Sequence, residues 1–233
     1  MKRTYQMLSI LVFVTLLIPM VTLTSLSAPE KEKITCRVFI TYENNNAIDP
    51  EENEKLATGG CWATFSKWQT PPINYVVNPT NSEGFSQTTV VNTVKTAAET
   101  WDAKTSVELF GNTPTVNTKA KIGIRDGKNV VGFGNLQSGI IAATYLWGTS
   151  SAIVEWDMKF NSRLVWGDAS SNPNVFDFLG IACHEYGHTF GMDDIYTSSC
   201  SSVTMYGYGA PGQTFQRTLE SPDIEGLRYL YGA

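Results

Sequence analysis

The string HEYGHTFGMDD, residues 184–194, contains both histidines of the 233-residue chain. Histidines four positions apart lie about 40° from each other around a helix axis, so His184 and His188 can bind one metal ion from the same side. Glu185 lies about 100° from His184, beside the ion, where its carboxylate can accept a proton from a water molecule. The spacing therefore predicts a metal-binding helix, and this pair of imidazoles favours zinc.

A catalytic zinc ion needs a third protein ligand and one open position. Gly191 permits the left-handed turn that ends a helix, and this turn allows Asp194 to face the same ion. We therefore expect a His2Asp metal site with Glu185 as general base. The alternative is an ordinary amphipathic helix whose histidines are held by hydrogen bonds. A stripe of residues on the opposite face is typical of a core helix: Phe176, Leu179, Cys183, Tyr186, Gly187 and Phe190.

The motif HExxHxxGxxD, followed eleven residues later by Met205, resembles the metzincin clan of zinc endopeptidases. The aspartate at the third ligand position resembles the snapalysin-type bacterial enzymes, since most metzincins have histidine there. The resemblance implies that Met205 lies in a tight turn beneath the metal. It also implies that Tyr206 and Tyr208 line the pocket for the residue after the cut, as in matrixins. Gly207 stands where another arrangement of the clan has a tyrosine.

Strand, helix, several strands, ligand helix, Met-turn and closing helix is the element order of matrixin catalytic domains, which residues 68–232 resemble. The resemblance implies an α+β metzincin (zincin-like) catalytic domain with a mixed twisted sheet, a substrate-pairing edge strand, an active-site helix, a Met-turn and a C-terminal helix. The block 139–145 resembles that edge strand, on which an extended peptide pairs. An ordinary sheet strand is the alternative for this block.

Hydrophobic periodicity and turn residues predict the individual elements. We predict strands over 72–78, 120–125, 130–133, 140–147 and 152–160. Helices are predicted over 88–103 and from Ser221, as the N-terminal cap, to near Gly232.

The first 27 residues have the pattern of a signal peptide: Lys2 and Arg3, an apolar run over 7–23, and small residues before Ala28. The alternative is a retained membrane anchor, and both predict export to the extracellular side. Residues 28–67 are polar and form either an N-terminal extension or a short pro-segment. The peptidase-like domain is then 68–233.

The net charge of the chain is −5, and no basic cluster is present. This charge argues against nucleic acid or an anionic membrane as the main partner. We expect a monomer that acts on a protein or peptide substrate and is not stably associated with a membrane after signal removal.

Four cysteines in an exported chain allow three disulfide pairings. Proximity in sequence favours Cys36–Cys61 and Cys183–Cys200. A free, buried Cys183 is one alternative. Another is Cys61 as a thiolate that blocks the zinc, although its surroundings do not match the matrixin Pro-Arg-Cys-Gly motif.

One catalytic zinc ion is expected, and the absence of further histidines excludes a second His-ligated zinc. Oxygens around Asp157, Asn161 and Asp168 are calcium candidates, with ordinary turns as the alternative. The function indicated is a secreted zinc endopeptidase. The alternatives are a non-catalytic peptide- or surface-binding module on the same fold, and a zinc hydrolase of small non-peptide amides.

Overall fold

A computed structural model describes residues 32–44, 60–111 and 113–233. The predicted signal peptide lies outside these residues. None of the helices in the described part is long and apolar enough to cross a membrane. The strands are β1 (Thr35–Glu43), β2 (Val76–Asn78), β3 (Thr115–Val116), β4 (Val130–Gly134), β5 (Ile140–Gly148), β6 (Ile153–Asn161), β7 (Trp166–Gly167), β8 (Phe176–Asp177) and β9 (Tyr208–Gly209). The helices are α1 (Gln87–Asp102), α2 (Phe178–Phe190) and α3 (Ser221–Tyr231).

Seven strands form one mixed sheet in the order β3-β2-β4-β6-β5-β1-β9. Strands β3, β2, β4 and β6 are parallel, whereas β5 runs antiparallel to β6. β1 pairs antiparallel with β5 over almost its whole length, and two residues of β1 pair parallel with β9. The predicted edge strand is therefore β5, but its outer edge is occupied by β1.

Helices α1 and α2 form the layer that supports the site. Helix α1 is capped by Ser86, whose side chain accepts a hydrogen bond from the N–H of Thr89, and it buries an apolar stripe that ends at Trp101. The Trp101 indole Nε1 donates to the carbonyl of Cys183 at 2.7 Å. This bond joins α1 to the middle of α2, so the position of the ligand helix is set by buried contacts.

Three predicted elements differ from the structure. Residues 120–125 form a loop and not a strand, because the Asp157 carboxylate accepts the N–H groups of Gly123 and Ile124 that a strand would have donated to a neighbour. The strand predicted over 72–78 is regular only over Val76–Asn78, since prolines at its start cannot donate to a ladder. The cap of α3 is Glu220, one residue before the predicted Ser221.

Candidate metal centre

Three side chains converge at the C-terminal half of α2. His184 Nε2 lies 3.2 Å from His188 Nε2 and 3.2 Å from Asp194 Oδ1, and the remaining His188 Nε2 to Asp194 Oδ1 distance is 3.4 Å. A tetrahedral zinc ion at about 2.0–2.1 Å from each ligand atom would hold such atoms about 3.3 Å apart. Within the described residues this is the one group of three histidine, cysteine or acidic side chains close enough to share an ion.

The other ring nitrogens show which atoms face the centre of the triangle. His184 Nδ1 lies 2.8 Å from the carbonyl of Thr204, and His188 Nδ1 lies 2.9 Å from that of Met192. Because a carbonyl only accepts, each Nδ1 carries the proton and each Nε2 presents a lone pair. Asp194 Oδ1 is buried without a hydrogen-bond partner. Converging buried lone pairs are unfavourable unless a cation lies among them, so these residues fit zinc.

A tyrosine orients the third ligand. The Tyr196 hydroxyl donates to Asp194 Oδ2 at 3.2 Å. Burial, followed by the charge of Asp194, raises the pKa of Tyr196 well above its usual value, so the hydroxyl stays protonated and can donate. Burial alone would raise the pKa of Asp194, but the protonated forms of His188 and His184 lower it below its usual range through charge and hydrogen bonds. A cation at the centre of the triangle would likewise favour the ionised carboxylate that metal binding requires.

Tyr196 was not singled out in the sequence analysis, although a signal exists at Gly207. A Cβ atom at Gly207 would lie 2.3 Å from the Tyr196 ring. The glycine therefore makes room for this ring at a position where the clan's other arrangement places its own tyrosine.

Glu185 is fully buried, and both of its carboxylate oxygens accept short hydrogen bonds. Thr144 in β5 donates to Oε2 at 2.6 Å, and Thr41 in β1 donates to Oε1 at 2.6 Å. Neither threonine was predicted, because they lie 41 and 144 residues away from Glu185 in sequence. Glu185 thus lies beside the metal triangle, with its orientation fixed from two strands of the sheet.

The turn after α2 depends on Gly191. Its φ of +106° is in the left-handed region, and a Cβ atom there would lie 1.8 Å from the carbonyl oxygen of Ser66. The N–H of Phe65 donates to the Gly191 carbonyl at 3.0 Å, so the residues before the domain pack directly on this turn. The chain then reverses, which brings Met192 O to His188 and Asp194 to both imidazoles.

Met205 is fully buried beneath α2. A Cβ atom at Gly187, inside the metal motif, would lie 2.2 Å from the Met205 Sδ atom. The glycine therefore permits the close contact between the ligand helix and the methionine. The turn itself is held by Asp223 of α3, whose carboxylate accepts the N–H groups of Thr204 and Met205 at 2.9 and 3.2 Å. The sequence did not predict this contact of Asp223.

Tyr206 and Tyr208, the predicted pocket residues, follow the turn with ring centroids 5.5 Å apart. Tyr208 begins β9 and pairs with Tyr42 of β1. Their contact with a substrate stays a prediction.

The predicted disulfide pairs are wrong. Cys61 is bonded to Cys200, while Cys36 is free and exposed and Cys183 is free and buried. Proximity in sequence failed because the segment before the domain folds back onto the end of α2: the N–H of Asp193 donates to the carbonyl of Ala63. Burial raises the pKa of Cys183 to about 12. Cys61 as a zinc-blocking thiolate is also wrong, because its sulfur is already bonded.

The three calcium candidates each bind different partners. Asp157 accepts N–H groups of the loop and of Val130, Asn161 accepts that of Leu136, and Asp168 pairs with Arg217. Calcium binding at these residues stays a prediction.

The fold and the His2Asp triangle are together those of a metzincin-type domain with a candidate metal site. Residues 67–232 match the profile of the matrixin peptidase family, and the chain belongs to this family. The metzincin fold class predicted from the sequence is thereby confirmed.

Two curated relatives are matrix metalloproteinases. Matrix metalloproteinase-C of Caenorhabditis elegans is 24% identical over 211 residues, which cover 84% of this chain and 36% of the relative. Matrix metalloproteinase-25 of Mus musculus is 30% identical over 80 residues, covering 34% of this chain and 13% of the relative. The chain thus spans about a third or less of the length of these relatives.

Proposed function

We propose that the protein is a secreted zinc-dependent endopeptidase, with His184, His188 and Asp194 as the metal ligands and Glu185 as the general base. The observation that carries this proposal is the triangle of ligand atoms at 3.2 to 3.4 Å, with the carboxylate of Glu185 beside it. When bound, zinc supplies Lewis-acid chemistry that polarises a carbonyl group and makes water more acidic. Matrixin membership supports the same assignment.

The side chains of the protein perform the proton transfers. Glu185 accepts a proton from the attacking water on one carboxylate oxygen and returns it to the leaving amine of the cleaved peptide. Thr144 holds Oε2, so the exchange would use Oε1, the oxygen that Thr41 of β1 contacts in this structure. Met205 supports the ligand helix from below, without binding the metal.

The backbone of β5 holds the substrate in an extended form. Peptide N–H and C=O groups pair with a sheet edge, so this contact recognises the peptide backbone more than its side chains. Tyr206 and Tyr208 line the pocket for the residue after the cut. A protein or peptide is therefore the substrate class.

Export and the remaining assignments rest on the sequence. The N-terminal pattern over residues 1–27 supports secretion, with removal of that segment before the protein works outside the cell. We expect a monomer with one zinc ion.

Glu185→Gln tests the proposal, because glutamine keeps the shape of the side chain but cannot take a proton. We expect a fully zinc-loaded variant that digests casein about 10²–10⁴-fold more slowly than the unsubstituted protein, the usual contribution of a general base. Glu225→Gln, the same change at an exposed position in α3, is the matched control and should leave digestion unchanged. Casein digestion by the Glu185→Gln protein at the normal rate would contradict the role of Glu185. Failure of the unsubstituted protein to cleave any protein, with chelator-sensitive hydrolysis of small amides, would favour the amidase alternative.

A further inference from the structure

The strand β1, which precedes the matrixin-like region, occupies the place of a bound peptide. It is antiparallel to β5, with Thr35 opposite Gly148 and Thr41 opposite Ala142. At the end of the strand, the N–H of Tyr42 donates to the Gly207 carbonyl at 3.0 Å and that of Glu43 to the Gly139 carbonyl at 2.9 Å. β1 thus fills the groove between β5 and the residues after the Met-turn with main-chain hydrogen bonds. An added peptide strand would use the same groups.

The side chains on the inner face of β1 contact the proposed catalytic residues. Residues two apart on a strand share a face. The Phe39 ring stacks on His188, with centroids 4.2 Å apart and an interplanar angle of 14°. Thr41 donates its hydroxyl proton to Glu185 Oε1 at 2.6 Å. Both side chains are almost fully buried, at 3% and 0% exposure.

A third residue on this face fixes the start of the strand. The Arg37 guanidinium binds both oxygens of Asp193 at 2.9 and 2.8 Å, immediately before the ligand Asp194. It also lies over the rings of Phe39 and Phe65, at 4.6 and 4.8 Å from their centroids. The three inward-facing residues of this stretch therefore all contact the site or the turn after α2: Arg37, Phe39 and Thr41.

These contacts close the site. His184, Glu185 and His188 are 0% exposed, and the side chain of Asp194 is 4% exposed. Both oxygens of Glu185 already accept a threonine hydroxyl and the residue is 0% exposed, so water does not reach the carboxylate while Thr41 remains in place. A substrate needs the same backbone groups of β5 and the same access to Glu185. Binding of β1 and binding of a substrate are therefore mutually exclusive.

β1 is held without a covalent bond to the site. Cys36 is a free thiol, and the disulfide that joins the N-terminal part to the domain begins only at Cys61. The outer face of the strand is partly in solvent, with Val38 44% exposed. The strand can therefore leave the groove while the disulfide and the rest of the fold remain.

We propose that Thr35–Glu43 is an internal inhibitor of the site, bound as a substrate mimic in the groove between β5 and Tyr208–Gly209, with Phe39 covering His188 and Thr41 blocking Glu185. The inhibitory effect rests on the proposed peptidase function, whereas the test measures binding of the strand to the groove. No thiolate takes part. Inhibition comes from strand pairing and from one hydroxyl on the general base.

The test compares two double variants of the full chain. Phe39→Ala with Thr41→Gly removes the two inward contacts, whereas Val38→Ala with Ile40→Ala truncates two neighbouring side chains of the same strand and leaves those contacts in place. The probe is a fluorescent synthetic peptide with the sequence of residues 34–43 and serine in place of Cys36. Its binding is measured by anisotropy, and casein digestion is measured separately.

We expect the probe to bind the inward variant at least about tenfold more tightly than the control variant or the unsubstituted protein, because apparent affinity scales with the fraction of molecules whose groove is free. Casein digestion should rise in the inward variant by a similar factor. Should that variant fail to fold, Arg37→Ala should shift probe binding in the same direction by a smaller factor.

Equal probe binding by all folded proteins would overturn the inhibitor role, whatever their activity. Selective probe binding by the inward variant without casein digestion by any protein would support the inhibitor role and count against the peptidase proposal. The two proposals can therefore fail separately.

Discussion

The Cys61–Cys200 disulfide should stabilise the fold by an amount that follows from the length of the loop it closes. The bond closes a loop of 139 residues, and the loss of chain entropy in the unfolded state for such a loop corresponds to about 5 kcal/mol at 25 °C. Replacing both cysteines by serine should lower the free energy of unfolding by up to about 5 kcal/mol. Because the bond joins the segment before the domain to the chain between Asp194 and Met205, zinc affinity should fall as well.

Cys36→Ser is the matched control, and it distinguishes the observed bond from the pairing that proximity in sequence favoured. Cys36 is free and exposed, so its replacement should change the free energy of unfolding by less than about 0.5 kcal/mol. A Cys36–Cys61 bond would close 25 residues, and its loss would cost about 3.5 kcal/mol.

Urea denaturation followed by tryptophan fluorescence, with and without reductant, measures these differences. Reductant should destabilise the unsubstituted protein and the Cys36→Ser variant alike, and leave the double variant unchanged. A cost near 3.5 kcal/mol for Cys36→Ser, or no cost for the double variant, would refute the assignment of the bond.

Two further predictions concern close packing and charge. Gly187→Ala should lower the free energy of unfolding by at least about 1–3 kcal/mol and weaken zinc binding, because the added Cβ would lie 2.2 Å from Met205 Sδ. Thermal unfolding measures the first effect and zinc titration the second. An unchanged unfolding midpoint would contradict the close packing. Burial raises the pKa of Asp157 to about 7, against the opposing effect of its backbone hydrogen bonds. The folded state then retains a proton that the unfolded state has lost, so stability should decrease from about pH 4 to pH 7. Asp157→Asn should flatten this decrease. The same dependence of the free energy of unfolding on pH in both proteins, measured by urea denaturation, would contradict this role of Asp157.

The site was largely predictable because metal binding imposes a local pattern. Two imidazoles from one helix must be four residues apart, and a third ligand close in sequence needs a turn, which Gly191 supplies. The structure brings His184, Glu185, His188 and Asp194 together as the pattern predicted. Their roles in binding and catalysis remain predictions.

The residues that hold the site were not predictable in the same way. Thr41, Thr144 and Asp223 reach it from three different elements, and no local spacing links them to the motif. The cysteine pairs were predicted wrongly for the same reason, since the approach of Cys61 to Cys200 follows from how distant segments pack. Sequence separation is a poor guide to such contacts.

The fold was predicted well where the local sequence signals agreed with one another. Helix α1 differs from its predicted range by one residue at each end, because its cap and apolar stripe agree. Residues 120–125 alternate between apolar and polar side chains and were predicted as a strand, yet the buried Asp157 carboxylate takes two of the loop's N–H groups. A single distant side chain therefore outweighed the local pattern.

Zinc stoichiometry, measured by elemental mass spectrometry on the full chain after zinc loading and extensive dialysis, tests the central claim most directly. We expect one zinc ion per chain in the unsubstituted protein and in Asp126→Ala, a matched change at a partly exposed aspartate that pairs with Lys128. Asp194→Ala should retain much less, because only two ligands remain. A folded, unsubstituted protein without stoichiometric zinc, or an Asp194→Ala variant that binds zinc as tightly, would contradict the account.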